Sequence, residues 1–163
     1  MKKIIRFVAG SVLVCLLLIT SISGAYAATG LTTAPDIATD QQKAIDLLNA
    51  DRKVDGLPPL KVDPKLAALA QKYAQDMMNR RFFSHTNPEG QSPFDRMRAA
   101  GISYGYAGEN LAINNSVSGA EQAFMNSPEH RANILNQHYT TVGVGVINAP
   151  NGTVYVAQEF TDK

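Results

Sequence analysis

The residues whose types could do chemistry together are three histidines, His85, His130 and His138, and a glutamate, Glu109, held between Gly108 and Asn110. Neutral imidazole binds borderline cations and moves protons near neutral pH, and a carboxylate beside it orients the ring or takes a proton. Spacing alone does not gather them. His130 and His138 stand eight residues apart, which does not place two ligands on one helical turn. The chain has no H-E-x-x-H and no G-x-S-x-G. On residue types alone, Glu109 could equally cap amides of a glycine-rich loop. His130 could bond to a neighbouring loop from the first turn of a helix, and His138 could be a solvated loop histidine.

Composition narrows the setting. The chain has 163 residues, with 15 Lys+Arg against 14 Asp+Glu. That length suits one domain. At 45% hydrophobic and 18% charged residues, neither disorder nor a fibrous repeat is indicated. A net charge of +1 gives no basic face for nucleic acid. The single cysteine, Cys15, excludes a disulfide framework and a multi-cysteine zinc site.

The N-terminus reads as an export signal. Lys2, Lys3 and Arg6 precede an uncharged apolar run over residues 7–20, and Ala25-Tyr26-Ala27 supplies a small-residue cleavage site. The run is short for a membrane span, which needs about 20 residues. Residues 1–27 are therefore expected to be a signal peptide. Cys15 lies inside the apolar run and follows Val14, so it does not resemble a lipoprotein cysteine. Cleavage would leave a slightly acidic, cysteine-free chain that depends on its apolar core. Residues 28–40, rich in Thr and Ala, read as a flexible leader, and residues 41–163 as the folded domain.

The elements that must position the histidines follow from local signals. Residues 40–55 carry Ala44, Leu47 and Leu48 at helical spacing, with Asp40 as a cap and Gly56 as a stop. Pro58 and Pro59 force an extended connector. Asp63-Pro64 opens the clearest helix, with Leu66, Leu69, Ala70, Tyr73, Ala74 and Met77 on one face and Arg80 and Arg81 at its end. A polar loop carrying His85 follows. Ser92-Pro93 and Ser127-Pro128 open two more helices, and a further helix covers residues 118–126. Glycine density over residues 102–113 predicts close backbone approach or a bulge rather than a regular strand. Alternating residues 142–146 and 154–160, joined through Asn151-Gly152, predict a β-hairpin. Helices followed by an antiparallel hairpin argue for an α+β domain.

Several of these segments carry a resemblance. Residues 44–49 with Arg52, Leu60-Lys61-Val62-Asp63-Pro64, Phe83-Ser84-His85-Thr86, Ser92-Pro93-Phe94-Asp95-Arg96, Gly108-Glu109-Asn110-Leu111 and Ser127-Pro128-Glu129-His130-Arg131 occur in the order seen in the CAP superfamily. That superfamily comprises cysteine-rich secretory proteins, antigen 5 and pathogenesis-related 1, and the match is to its bacterial, disulfide-free form. The likeness continues through His138-Tyr139-Thr140 and Val142-Gly143-Val144-Gly145-Val146, and spans about residues 41–161.

The resemblance implies an α-β-α sandwich with a central antiparallel sheet, and a cleft lined by histidines and acidic residues. His85 matches the histidine of the family's His-Ser motif, Glu109 the glutamate of Gly-Glu-Asn, and His138 the histidine of His-Phe/Tyr-Thr. In metal-bound relatives those two histidines hold a zinc-like divalent cation, which makes His85 and His138 the implied metal ligands here. His130 is expected to face the same cleft. A second family glutamate would fall near Ser127, with Glu129 close by, and Phe124 stands where tryptophan is common.

Two functions follow as expectations. One is a secreted, monomeric binding module at the cell surface or wall, with a lipid, peptide or protein ligand. The other is a metal-dependent, peptidase-like hydrolase with His85 and His138 as ligands and Glu109 as general base. A structural role in the envelope is a third possibility. A hydrolase built on Ser84 is disfavoured, because side chains adjacent in an extended loop point to opposite sides.

Overall fold

The computed structural model describes residues 37–163. The expected signal peptide, Cys15 and most of the leader lie outside the described residues. The order of elements is α1 (Ile37–Val54), β1 (Lys61–Val62), α2 (Pro64–Arg80), α3 (Pro93–Ala99), β2 (Ala107–Asn114), α4 (Val117–Asn126), α5 (Pro128–Ile134), β3 (Thr141–Asn148) and β4 (Val154–Thr161). The strands form one sheet in the order β1-β3-β4-β2. β3 pairs antiparallel with β4, and β4 antiparallel with β2. The extended connector contributes β1, a two-residue edge parallel to β3.

Alternation along the strands explains the layers. Val142, Val144 and Val146 on β3, with Val154, Val156 and Phe160 on β4, pack against Ala44 and Leu48 of α1, Ala120 and Phe124 of α4 and Ile134 of α5. The opposite face carries Leu111, Ile147 and Ala157, which pack on Ala70, Tyr73, Ala74 and Met77 of α2. The result is an α-β-α sandwich. Both faces of β4 are buried, so its strand reads as nearly continuous burial. On β3, Gly143 and Gly145 face α2 along with Ile147. A Cβ on either glycine would run into the α2 backbone at Leu66–Ala67 or Ala70–Gln71, so only glycine lets this helix lie directly on the sheet.

Two local expectations are corrected. β2 is a regular strand, paired residue for residue with β4 from Ala107↔Thr161 to Asn114↔Val154. The glycine signal there marks close approaches: on the strand a Cβ on Gly108 would meet the Tyr139 hydroxyl at 2.5 Å, and just before it a Cβ on Gly105 would meet Asp162 Oδ2 at 2.7 Å. Glycine density concealed the strand because the close contact at Gly108 arises from a side chain 31 residues away in sequence rather than from a bulge. Asp40 does not cap α1, which is already helical from Ile37. Its Oδ2 instead accepts from Asn148 Nδ2 at 2.8 Å, tying α1 to the end of β3.

The other helix starts follow their caps. Asp63 Oδ1 accepts from the amides of Lys65 and Leu66 at 2.8 and 2.9 Å. Ser92 and Asp95 form a reciprocal capping box at the start of α3. Ser127 occupies the cap position of α5 without a side-chain cap bond. The hairpin turns through Asn151-Gly152, with Gly152 at φ 85°. Among the described residues no helix is long and apolar enough to cross a membrane.

Candidate functional site

Each element around His85 is fixed by a contact made elsewhere in the chain. α2 ends with Arg81 in the left-handed conformation, φ 57°, which turns the chain into the loop that carries His85. Arg80 Nη2 pairs with Glu89 Oε1 at 2.6 Å and pulls the far side of that loop back onto α2. Two successive carbonyls are then held from below. Tyr73 Oη donates to Ser84 O at 2.6 Å, and Arg96 Nη1 donates to His85 O at 2.8 Å. The loop carrying His85 is thus anchored through its main chain, while the side chain stays 56% exposed.

The imidazole meets the first residues of β2. Glu109 Oε1 lies 2.7 Å from His85 Nδ1, and Arg96 Nη2 donates to Glu109 Oε2 at 2.5 Å. Glu109 therefore spends both oxygens, one on the ring and one on a buried guanidinium. The hydrogen bond to Glu109 raises the pKa of His85 above the ordinary imidazole value, against burial, which lowers it. Arg96 itself sits over an aromatic ring: its guanidinium carbon lies 3.4 Å from the centroid of the Tyr73 ring. Burial pushes the Tyr73 phenol up to about 12, so it remains a hydrogen-bond donor at any physiological pH.

Beneath this group lies Glu159, opposite Glu109 in the β2–β4 register and fully buried. Neither of its oxygens has a hydrogen-bond partner. Its nearest cation is Arg96 Nη2 at 3.9 Å. Burial first, and then the charge of Glu109, raise its pKa well above the carboxylate range, so it is a neutral acid here.

The other two histidines are placed differently. His130, in the first turns of α5, packs edge-on against Phe124 with ring centroids 5.2 Å apart. Burial lowers its pKa, and so does the charge of His85, which lies within electrostatic reach. His138 is exposed, and its ring stacks on Tyr106 at a centroid distance of 4.1 Å and an interplanar angle of 5°. Glu129 is exposed on the first turn of α5 and Ser127 is half-buried. Ser84 Oγ accepts from the Thr86 amide at 3.1 Å, a turn-forming contact.

Both Glu109 oxygens are hydrogen-bonded and a guanidinium stands beside them. The ring of His138 stacks face-on with Tyr106, a contact that leaves its in-plane nitrogens open. Among the described residues no three His, Cys, Asp or Glu side chains converge as a metal site.

Sequence reasoning passed over Arg96, Tyr73 and Glu159. Arg96 was visible only as part of Ser-Pro-Phe-Asp-Arg. Tyr73 reads as one more apolar position on α2. Glu159 gave one usable signal, a carboxylate on a strand whose same-side neighbours, Tyr155 and Ala157, are uncharged.

Comparison with known proteins agrees with this architecture. The family model for CAP, the cysteine-rich secretory protein family, matches residues 45–160. YkwD of Bacillus subtilis (strain 168) is 40% identical over 134 residues, covering 81% of this chain and 51% of the relative. An extracellular protein with an SCP domain from Bacillus anthracis superposes with a TM-score of 0.71 at 32% identity, over 77% of this chain and 41% of the other. An outer surface protein of Borrelia burgdorferi shares the fold, with a TM-score of 0.73 at 22% identity, over 79% and 96% of the two chains. The chain thus spans about half the length of the Bacillus subtilis relative and less than half of the Bacillus anthracis chain.

Proposed function

The chain belongs to the cysteine-rich secretory protein (CAP) family, and on that premise we propose that it is an exported binding module that takes a ligand at the cell surface or wall through the His85–Glu109 cleft. One observation carries the reading: Glu109 is saturated. With one oxygen on His85 Nδ1 and the other on Arg96, it is an orienting carboxylate and not a free base. It fixes the ring so that the Nε2 edge belongs to the ligand. The raised His85 pKa favours the doubly protonated ring, which offers Nε2–H to an acceptor. His130 supplies a second imidazole at the border of the same region. Export is supported by the signal-like residues 1–27 and by relatives described as extracellular or outer-surface proteins.

The test is sedimentation with isolated bacterial envelopes. Wild type should bind saturably, and His85→Ala should lose most of that binding while keeping its unfolding midpoint. Equal binding by both proteins, or binding that never saturates, would remove the cleft from the function. Calorimetric titration with zinc should give no heat that depends on His85; a His85-dependent heat would favour the metal-dependent reading instead.

A further inference from the structure

A line of amide side chains leads from the site to a buried carboxyl on α4. Asn133 Nδ2 donates to Glu109 O at 3.2 Å and to Asn110 Oδ1 at 2.8 Å. Asn110 Nδ2 donates to His130 O at 3.0 Å and to Gln158 Oε1 at 3.1 Å. Gln158 Nε2 donates to Glu121 Oε2 at 2.8 Å. The direction of this line is not arbitrary. Main-chain carbonyls only accept, so Glu109 O and His130 O require the amide nitrogens of Asn133 and Asn110. Those two choices fix the orientation of Gln158, and the last donor lands on Glu121. Asn110 and Gln158 are fully buried, and Glu121 is 5% exposed. Glu121 Oε1 has no partner. A buried carboxylate with a single donor is poorly compensated, whereas the neutral acid is tolerated.

We propose that Glu121 is a positioning residue for the cleft and its proton-sensitive latch. As a neutral acid it lets α4 close on the sheet, and the amide line then holds the main chain of His130 and of Glu109 in place. As an anion it strains that seat and loosens the α5 turn bearing His130. The inference rests on the binding-module reading only in treating those residues as a ligand cleft.

The electrostatic surroundings agree with the geometry. Burial pushes the Glu121 carboxyl up to about 8, Asp51 on α1 adds repulsion, and the hydrogen bond from Gln158 lowers it in part. The other charges near this junction are engaged elsewhere. Arg131 on α5 reaches Asp55 and lowers Asp51. Arg52 on α1 spends its guanidinium on the carbonyls of Pro58, Ile134, Asn136 and Tyr139. From β4 it is the uncharged Gln158 that meets the carboxyl, and behind it on β2 the uncharged Asn110 holds Gln158. The latch therefore works on the alkaline side of neutrality.

NMR of the protein with labelled histidines tests this without any ligand. In wild type the His130 ring signals should show their own titration at low pH and a second inflection near pH 8, where Glu121 ionises. Glu121→Gln keeps the acceptor and removes the charge, so the alkaline inflection should vanish while the acid limb stays. Asp51→Asn, a milder variant, should move the inflection to lower pH. Absence of the inflection in wild type, its persistence in Glu121→Gln, or an unmoved inflection in Asp51→Asn would each overturn the proposal. Envelope binding separates this inference from the functional reading. If binding ignores His85 but the inflection is present, the reading fails and the latch stands. If binding needs His85 but no inflection appears, the latch alone fails.

Discussion

Arg96 lies flat over Tyr73, its guanidinium carbon 3.4 Å from the ring centroid, and from that seat it holds both the carbonyl of His85 and the carboxylate of Glu109. One side chain thus joins α2, α3, β2 and the loop between α2 and α3. A flat guanidinium can stack and donate in several directions within its plane; an ammonium cannot.

Replacing Arg96 should therefore be costly even conservatively. Arg96→Lys should expose the His85 loop to faster amide exchange. Arg96→Ala leaves Glu109 as a buried charge without its cation, a loss of about 3 kcal/mol or more. Urea unfolding of the two variants checks the order, and a fully stable Arg96→Ala would contradict it.

Glu109→Gln should lower the His85 pKa towards the ordinary imidazole value, since the bond to Glu109 is the largest cause of its rise. The sign for stability follows. A raised folded-state pKa contributes stability that is complete below the unfolded value and is lost as pH rises through the folded one. Wild type should lose a small increment of stability across that window, and Glu109→Gln should not. Histidine NMR titration with parallel unfolding curves reads both effects.

Glu121 acts in the same pH direction. Its carboxyl is raised from 4.5 to about 8, so the folded state holds a proton that the unfolded chain releases. Stability should fall as pH rises from the ordinary carboxylate range to about 8, by a few kcal/mol in all. Glu121→Gln should flatten that slope. Unfolding midpoints at acid, neutral and alkaline pH would show it, and parallel pH profiles for the two proteins would refute it.

Gly143→Ala or Gly145→Ala should destabilise the fold by about 1–3 kcal/mol, at the upper end because the obstructing atoms are α2 backbone. Gly56→Ala meets nothing within 4 Å and is opposed only by its φ of 76°, so it should cost less. Thermal unfolding of the three variants ranks them.

Much of the fold was legible because its signals are local. Asp63-Pro64 and Ser92-Pro93 carry caps and prolines in adjacent positions, and the C-terminal hairpin shows its period of two. β2 was hidden because Gly108 answers to Tyr139, a contact that no window around the glycine contains. The site was legible only in part. Histidines and the Gly-Glu-Asn glutamate attract notice by type, and His85 does meet Glu109. Arg96, Glu159 and Glu121 did not, since an arginine, a strand glutamate and a helix glutamate look like surface charges until the chain brings apolar layers over them. The contact between His138 and Tyr106 depends on how two loops end, which no periodicity records.

The glycine track on β3 has one more consequence. At Gly143 and Gly145 no side chain stands between helix and sheet, so α2 rests there on bare backbone and can slide or lift only by breaking that contact. The chain therefore carries an anvil beside the loop that bears His85. Sequence change is free to arise in residues 82–92 and at the start of α5, while the surface they are hammered against stays fixed.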